Sequence, residues 1–187
     1  MPHAIAIPLA VVLGAFTWSF LEYVIHRWLG HDARFRPNLF ESEHTRHHGR
    51  GNYFAPSWKK ALATVVTFGV AAPLAMLVTS PAVGAAWAAG LAGFYAFYEV
   101  VHRRAHTHAP TGPYGAWLRR HHFWHHFGDP RTNHGVTSPL WDVVFGTHAR
   151  AEMIRVPARL AMPWLVTDEG QRVRDEFADR YRLRGRR

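Results

Sequence analysis

Histidine is the residue type through which this chain could do chemistry. Fifteen are present, and ten fall into four clusters: His26 and His31; His44, His47 and His48; His102 and His106; His122, His125 and His126. Imidazole is the commonest protein ligand for zinc, copper, iron and nickel. In a helix, residues three and four apart share a face. Each H-x-x-H-H cluster is therefore expected to aim three imidazoles at one point, and His102 with His106 to aim two. His26 and His31, five apart, suit a helix end followed by a turn. Ten imidazoles exceed what one tetrahedral or octahedral ion needs, so the pattern predicts a site for two metals. A lone histidine is usually a surface or core residue, and a histidine-rich tail can be a purification tag. These clusters are instead internal, regularly spaced and next to apolar segments.

The elements that must position them are membrane helices. A chain of 187 residues is expected to form a single domain, 1–187. It has no cysteine, which excludes disulfides, thiolate zinc sites and iron–sulfur clusters. The net charge of +9 would suggest nucleic acid in a soluble protein, but its distribution argues otherwise. All 22 Lys and Arg residues lie in 27–60 and 103–187, and none in 1–26 or 61–102. Basic-free blocks alternating with basic ones are the pattern of spans and cytoplasmic segments. Residues 4–25, 61–80 and 82–101 are each apolar over roughly the 20 residues that cross a bilayer. A signal peptide is the rival reading of 4–25, but the stretch lacks a basic start and a cleavage site. The expected fold class is thus all-α: an integral membrane protein with about three spans and a cytoplasmic, histidine-rich helical cap formed by 26–60 and 102–187.

With the N-terminus outside, three spans bring all four clusters to the same, cytoplasmic face. Trp58, Lys59 and Lys60 read as an interfacial anchor, Pro73 as a kink, and Gly90 and Gly93 as helix-packing positions. A glutamate in a span is costly and usually has a job. Glu22 lies one turn before His26 and Glu99 nearly so before His102, so each is expected to accept a hydrogen bond from the second ring nitrogen of a ligand histidine. Residues 128–147 read as a loop with a short amphipathic piece. Residues 168–182 read as a solvated helix with acidic residues in its first turn, followed by a free or lipid-bound RLRGRR end.

Two nitrogen-ligated metals at a membrane surface could activate water, as zinc does, or activate dioxygen as a redox pair. The H-E-x-x-H motif expected of a zinc hydrolase is absent from the sequence. Iron is the metal whose redox chemistry could cleave strong aliphatic C–H bonds. Three apolar helices over the site suit a substrate whose tail lies in the bilayer.

The series H-x4-H, H-x2-H-H, H-x3-H and H-x2-H-H, in this order between spans, resembles the fatty acid hydroxylase/sterol desaturase superfamily. So does the stretch from Asn133 and His134 through Asp142 to Thr147. The resemblance covers about residues 20–147. It implies a membrane-bound, non-haem di-iron oxygenase that uses dioxygen, with electrons from NAD(P)H relayed by a separate carrier, to hydroxylate or desaturate a lipid. The ten clustered histidines would be the iron ligands, with Asn133 and Asp142 supporting them. His134 and His121 are candidate additional ligands, His108 is ambiguous, and His3 and His148 are discounted. A fatty acyl hydroxylase is the leading reading. Carotenoid or sterol-type hydroxylases and desaturases are the runner-up, and a non-catalytic membrane metal-handling protein is the alternative from another class. The implied partners are a membrane lipid and an electron-transfer protein, not nucleic acid, and a shorter wall of spans is compatible with an oligomer. The implied location is a bacterial cytoplasmic membrane. Zinc could occupy the sites after purification, because iron(II) lies below it in affinity for such ligands.

Overall fold

A largely apolar run forms helix α1 (His3–Val24). In the computed structural model, which describes residues 2–167 and 170–185, the chain divides into two units. One takes the chain up to Leu21 together with Ala55–Val100; the other takes Glu22–Phe54 and the chain from Val101 onward.

The first unit is helical. It contains most of α1, all of α3 (Ser57–Val78) and most of α4 (Pro81–Thr107), which follow α2 (Leu39–Arg50) of the second unit. Helices over His3–His31 and Ser57–Val78 are long and apolar enough to cross a membrane. The third expected span is present as a helix and continues to Thr107, but its Gly, Trp and Tyr residues leave it less apolar than these two. Helix α3 has no buried residue, and Val65, Leu74 and Leu77 stand outward, as lipid-facing side chains would. Close approach of backbones explains Gly14 and Gly90. A Cβ at Gly14 would meet the Trp87 carbonyl at 2.0 Å, and one at Gly90 the Val11 carbonyl at 2.0 Å. Gly93 has nothing within 4 Å, so the expected packing role holds for Gly90 and not for Gly93. The anchor residues enter the first turns of α3, where Lys59 lies over the Trp58 ring at 5.7 Å.

The second unit carries every clustered histidine. Past Val24 the helix continues as a π-helical turn, Ile25–His31. Residues five apart are successive along such a turn, which hydrogen-bonds i to i+5. The expected helix end and loop between His26 and His31 is thus one widened turn. Asn38 starts α2 by accepting from the Glu41 amide at 2.8 Å, an N-cap, and Gly51 ends it at φ 66°, where glycine is free of Cβ strain. Helix α5 (Gly112–Phe127) begins with Pro113 in its first turn, where the missing N–H costs nothing. Buried Arg119 donates to the carbonyls of Arg104 (2.8 Å) and His108 (2.7 Å). It thereby caps the C-terminus of α4 and ties α4 to α5. The ambiguous His108 contributes its carbonyl here.

The region after residue 150 overturns two expectations. Strands β1 (Ile154–Pro157) and β2 (Tyr181–Arg184) pair in parallel, Ile154 opposite Tyr181, so the chain is mostly helical rather than all-α. The expected helix over 168–182 is absent among the described residues. Asp168 and Glu169, its acidic start, lie outside them, Asp175–Phe177 forms a single 3-10 turn, and the chain then extends. Burial explains the difference: Ile154, Val156, Leu165 and Tyr181 pack with Leu118 and Phe123 of α5 and Ala105 of α4, a core that a solvated helix would not complete. Arg182 and Arg184 of the expected free end lie in β2, while Arg186 and Arg187 lie outside the described residues.

Candidate metal centre

The ten clustered histidines gather into two groups, each with its candidate ligand atoms within 4.8 Å of one another. His26, His31, His44, His48 and His125 form one; His47, His102, His106, His122 and His126 form the other. The expectation that each H-x-x-H-H cluster converges on one point is corrected. Successive helical residues turn by about 100°, so the i and i+4 members stay together while the i+3 member faces elsewhere. Helix α2 sends His44 and His48 to the first group and His47 to the second. Helix α5 does the reverse, sending His125 to the first and His122 with His126 to the second. The remaining pairs come from the π-turn and from α4. Each group is therefore built two, one and two from three elements. The groups lie side by side, with the His48 and His126 rings stacked at 4.0 Å.

Hydrogen bonds decide which nitrogen faces inward. A carbonyl only accepts, so a ring nitrogen bonded to one must carry the proton. His26 Nδ1 donates to the His134 carbonyl (2.5 Å), His47 Nδ1 to that of Tyr53 (2.7 Å) and His125 Nδ1 to that of Thr132 (2.7 Å). Their Nε2 lone pairs are left for the site, which is how ligand histidines are usually oriented. Nε2 atoms then crowd one another: His31 and His44 at 2.8 Å, His106 and His122 at 2.9 Å, His47 and His102 at 3.1 Å, His48 and His125 at 3.2 Å. His26 Nε2 and both ring nitrogens of His126 are buried without a partner. Orphaned buried nitrogens are costly, and a cation within each group would relieve them. Burial, and then repulsion among neighbouring imidazoles, holds His44, His122, His125 and His126 well below the usual imidazole range and His48 down to about 3. These rings are thus neutral and able to ligate at physiological pH. An all-imidazole set suits iron, zinc, copper or nickel.

Asn133 and Asp142, both fully buried, support the loop that orients two of these rings. Asp142 Oδ1 accepts from the His134 amide (2.8 Å) and the Thr147 hydroxyl (2.7 Å), and its Oδ2 from the Gly135 amide (2.8 Å) and His121 Nε2 (3.3 Å). Burial pushes the carboxyl up, but these bonds outweigh it and hold Asp142 below the usual carboxylate range. Asn133, at φ 56°, joins the loop to residue 149 through two bonds, donating to the Ala149 carbonyl (3.0 Å) and accepting from its amide (2.8 Å). Asparagine tolerates this left-handed backbone better than most residues. The segment so fixed contains Thr132 and His134, whose carbonyls hold His125 and His26. The Asp142 side chain ties α6 (Leu140–Val144) to this loop.

Other predicted site residues lie elsewhere. Glu22 does not support His26: its Oε1 accepts from the Thr137 amide (2.9 Å) and hydroxyl (2.8 Å), because the His134 carbonyl already takes the His26 proton. Glu99 forms an ion pair with Lys60. Neither His121 nor His134 belongs to a five-histidine group. His121 serves Asp142 and lies near-parallel to the Trp117 ring at 4.9 Å. The His134 ring is 5.2 Å from that of His125, and its contribution to the site is its backbone. Sequence reasoning missed Tyr53, Thr132, Thr147 and Arg119. Carbonyl roles leave no mark in side-chain identity, although Thr147 ends the closing motif.

Fold and site together define a helical protein with membrane-type helices and two all-histidine groups competent to bind metal. The family model described as fatty acid hydroxylase matches residues 11–147. The chain is 32% identical over 146 residues to a dihydroceramide fatty acyl 2-hydroxylase of Arabidopsis thaliana, covering 73% of this chain and 59% of that protein. It is 32% identical over 162 residues to the fatty acid 2-hydroxylase of Homo sapiens, covering 78% of this chain and 42% of that one. A solved structure of full-length scs7p, with only the hydroxylase domain visible, superposes with a TM-score of 0.63 at 27% identity, over 82% of this chain and 60% of that one. This chain belongs to the fatty acid hydroxylase family. It spans about two fifths to three fifths of the length of these curated relatives.

Proposed function

We propose that the chain is a membrane-bound monooxygenase that hydroxylates the acyl chain of a lipid, using two non-haem iron ions and dioxygen. The observation that carries this reading is the distribution of ten imidazoles into two adjacent all-nitrogen groups, each drawn two, one and two from three elements. The names of the relatives, fatty acyl and fatty acid 2-hydroxylases, favour carbon 2 of the acyl chain as the target and disfavour a carotenoid or sterol ring. In the balanced reaction one oxygen atom of dioxygen enters the C–H bond and the other leaves as water. Two electrons and two protons are consumed, drawn from NAD(P)H through a separate carrier protein.

Bound iron would supply dioxygen activation and C–H cleavage. The chain's own share is positional. The carbonyls of Thr132, His134 and Tyr53 hold His125, His26 and His47 with Nε2 inward. Burial keeps the rings of His44, His48, His122, His125 and His126 unprotonated, and Asp142 with Asn133 holds the loop that does the orienting. Glu22 and Glu99 are assigned no ligand. The proposal retains three spans, α4 being the third, an outside N-terminus, and a site facing the cytoplasm of a bacterium.

The test is lipid profiling of cells expressing the chain or its His125→Ala/His126→Ala variant, in air and without oxygen, with 18O2 as tracer. A lipid that gains one labelled oxygen only with intact histidines and oxygen is the expected result. An unchanged lipid profile, with metal bound and an electron donor present, would reject the oxygenase and favour metal handling. Zinc in purified protein would not identify the working metal, because zinc outcompetes iron(II) for nitrogen donors.

A further inference from the structure

We infer that α6 and Phe145 form a membrane-inserted contact, a short lipid-facing element joined directly to the loop that orients the first histidine group. In this five-residue helix Asp142 points inward and is fully buried, while Leu140, Val143, Val144 and Phe145 are 43%, 62%, 59% and 40% exposed. Four large apolar residues within six positions form an outward patch of a kind that marks a contact surface. The occupant is identified by what the patch adjoins. The Phe145 ring stacks on that of Tyr23 at 5.3 Å, and Tyr23 belongs to the continuous helix His3–His31, apolar enough to cross a membrane. Arg27, one turn further, donates to the Tyr23 hydroxyl at 2.7 Å. An arginine at the end of an apolar helix marks the level of the lipid headgroups, and the fully buried Tyr23 packs Phe145 against that end of the helix. The patch thus lies beside the end of a span, where acyl chains are the chemistry that matches it.

A hydrogen-bonded path runs inward from this contact. The Tyr23 hydroxyl meets Thr147 Oγ1 at 3.0 Å, Thr147 donates to Asp142 at 2.7 Å, Asp142 holds the His134 amide at 2.8 Å, and the His134 carbonyl holds His26. The element touching lipid is therefore the one that fixes the loop behind His26 and His125. This inference rests on the membrane reading above, and its test separates the two.

The sequence contains no cysteine, so single thiols can be placed at will. Val144→Cys, Val143→Cys, Arg150→Cys and, as a marker on α3, Val66→Cys are each nitroxide-labelled in the full chain and reconstituted in phosphatidylcholine/phosphatidylglycerol nanodiscs. Samples that retain the metal content of the unmodified protein are compared by power-saturation electron paramagnetic resonance with oxygen and with a water-soluble nickel chelate. Labels at 143 and 144 are expected to favour oxygen, as at 66, while the label at 150 favours the chelate. Chelate access at 143 and 144, with 66 in lipid, overturns the inference and leaves the membrane reading standing. Exclusion of both reagents from 143 and 144 overturns it in favour of a protein contact. Chelate access at 66 as well overturns both readings.

Discussion

At the scale of single residues, the site depends on side chains that belong to neither histidine group. Asp142 accepts from two amides, a hydroxyl and an imidazole, so Asp142→Asn places an amide NH2 against donors. We expect a stability loss of about 1–3 kcal/mol for the unsatisfied buried groups. Metal affinity in the group containing His26 and His125 should fall roughly 10–100-fold, as for other residues that orient ligand histidines. Metal stoichiometry against free metal, measured beside the thermal midpoint, checks both. The buried imidazoles give the metal-free protein a pH dependence of definite sign. Unfolded histidines take up protons near 6.5, whereas His48 does so only near 3 and its neighbours well below their usual range. The unfolded state thus binds more protons throughout that window. Stability is complete above about pH 6.5 and declines as pH falls toward 3. Denaturant midpoints of the chelator-treated protein in micelles should be lower at pH 5 than at pH 7.5, and equal midpoints would show that the rings titrate normally.

At the scale of elements, phase matters more than composition. The π-turn Ile25–His31 brings residues five apart into one group, which an α-helical turn would separate. Inserting an alanine after Leu29 lengthens the spacing to six and turns His31 by about 100° relative to His26. We expect the insertion variant to keep its helical content and lose metal from the group that contains His31, as read by circular dichroism and metal analysis. Two metals retained would mean that the widened turn is not what places His31. The same argument explains the exchange between α2 and α5: their i and i+4 histidines cannot face the same way as the i+3 member.

At the scale of the whole molecule, the C-terminal segment supports the helix that carries histidines of both groups. Ile154 is fully buried, and its strand packs on α5 beside Leu118 and Phe123. The same helix carries histidines of both groups. Ile154→Ala should cost about 2–5 kcal/mol, as large-to-small changes in cores do. Because α5 supplies histidines to both groups, metal bound there should dissociate faster from both, not from one. Stopped-flow chelation shows this as two rates rising together, and a rise in only one would show that α5 is held by other contacts.

The sequence by itself picked out the ten histidines that gather, because imidazole count and helical spacing are properties of residue order alone. It determined the apolar helices for the same reason, since charge and hydropathy need no partner to be read. The family resemblance, carried by four ordered clusters and the Asn133–Thr147 motif, was legible too. Tertiary structure decided how the ten divide, because a group's membership depends on helix phase and on which elements meet. It decided that Glu22 serves Thr137 and Glu99 pairs with Lys60, since a carboxylate's partner is whatever lies within 3 Å of it after folding. It replaced the expected C-terminal helix with a 3-10 turn and a short paired strand, because packing against α5 outweighed a local charge pattern. It also assigned the orienting roles to the carbonyls of Tyr53, Thr132 and His134, groups that every residue carries and that only position distinguishes.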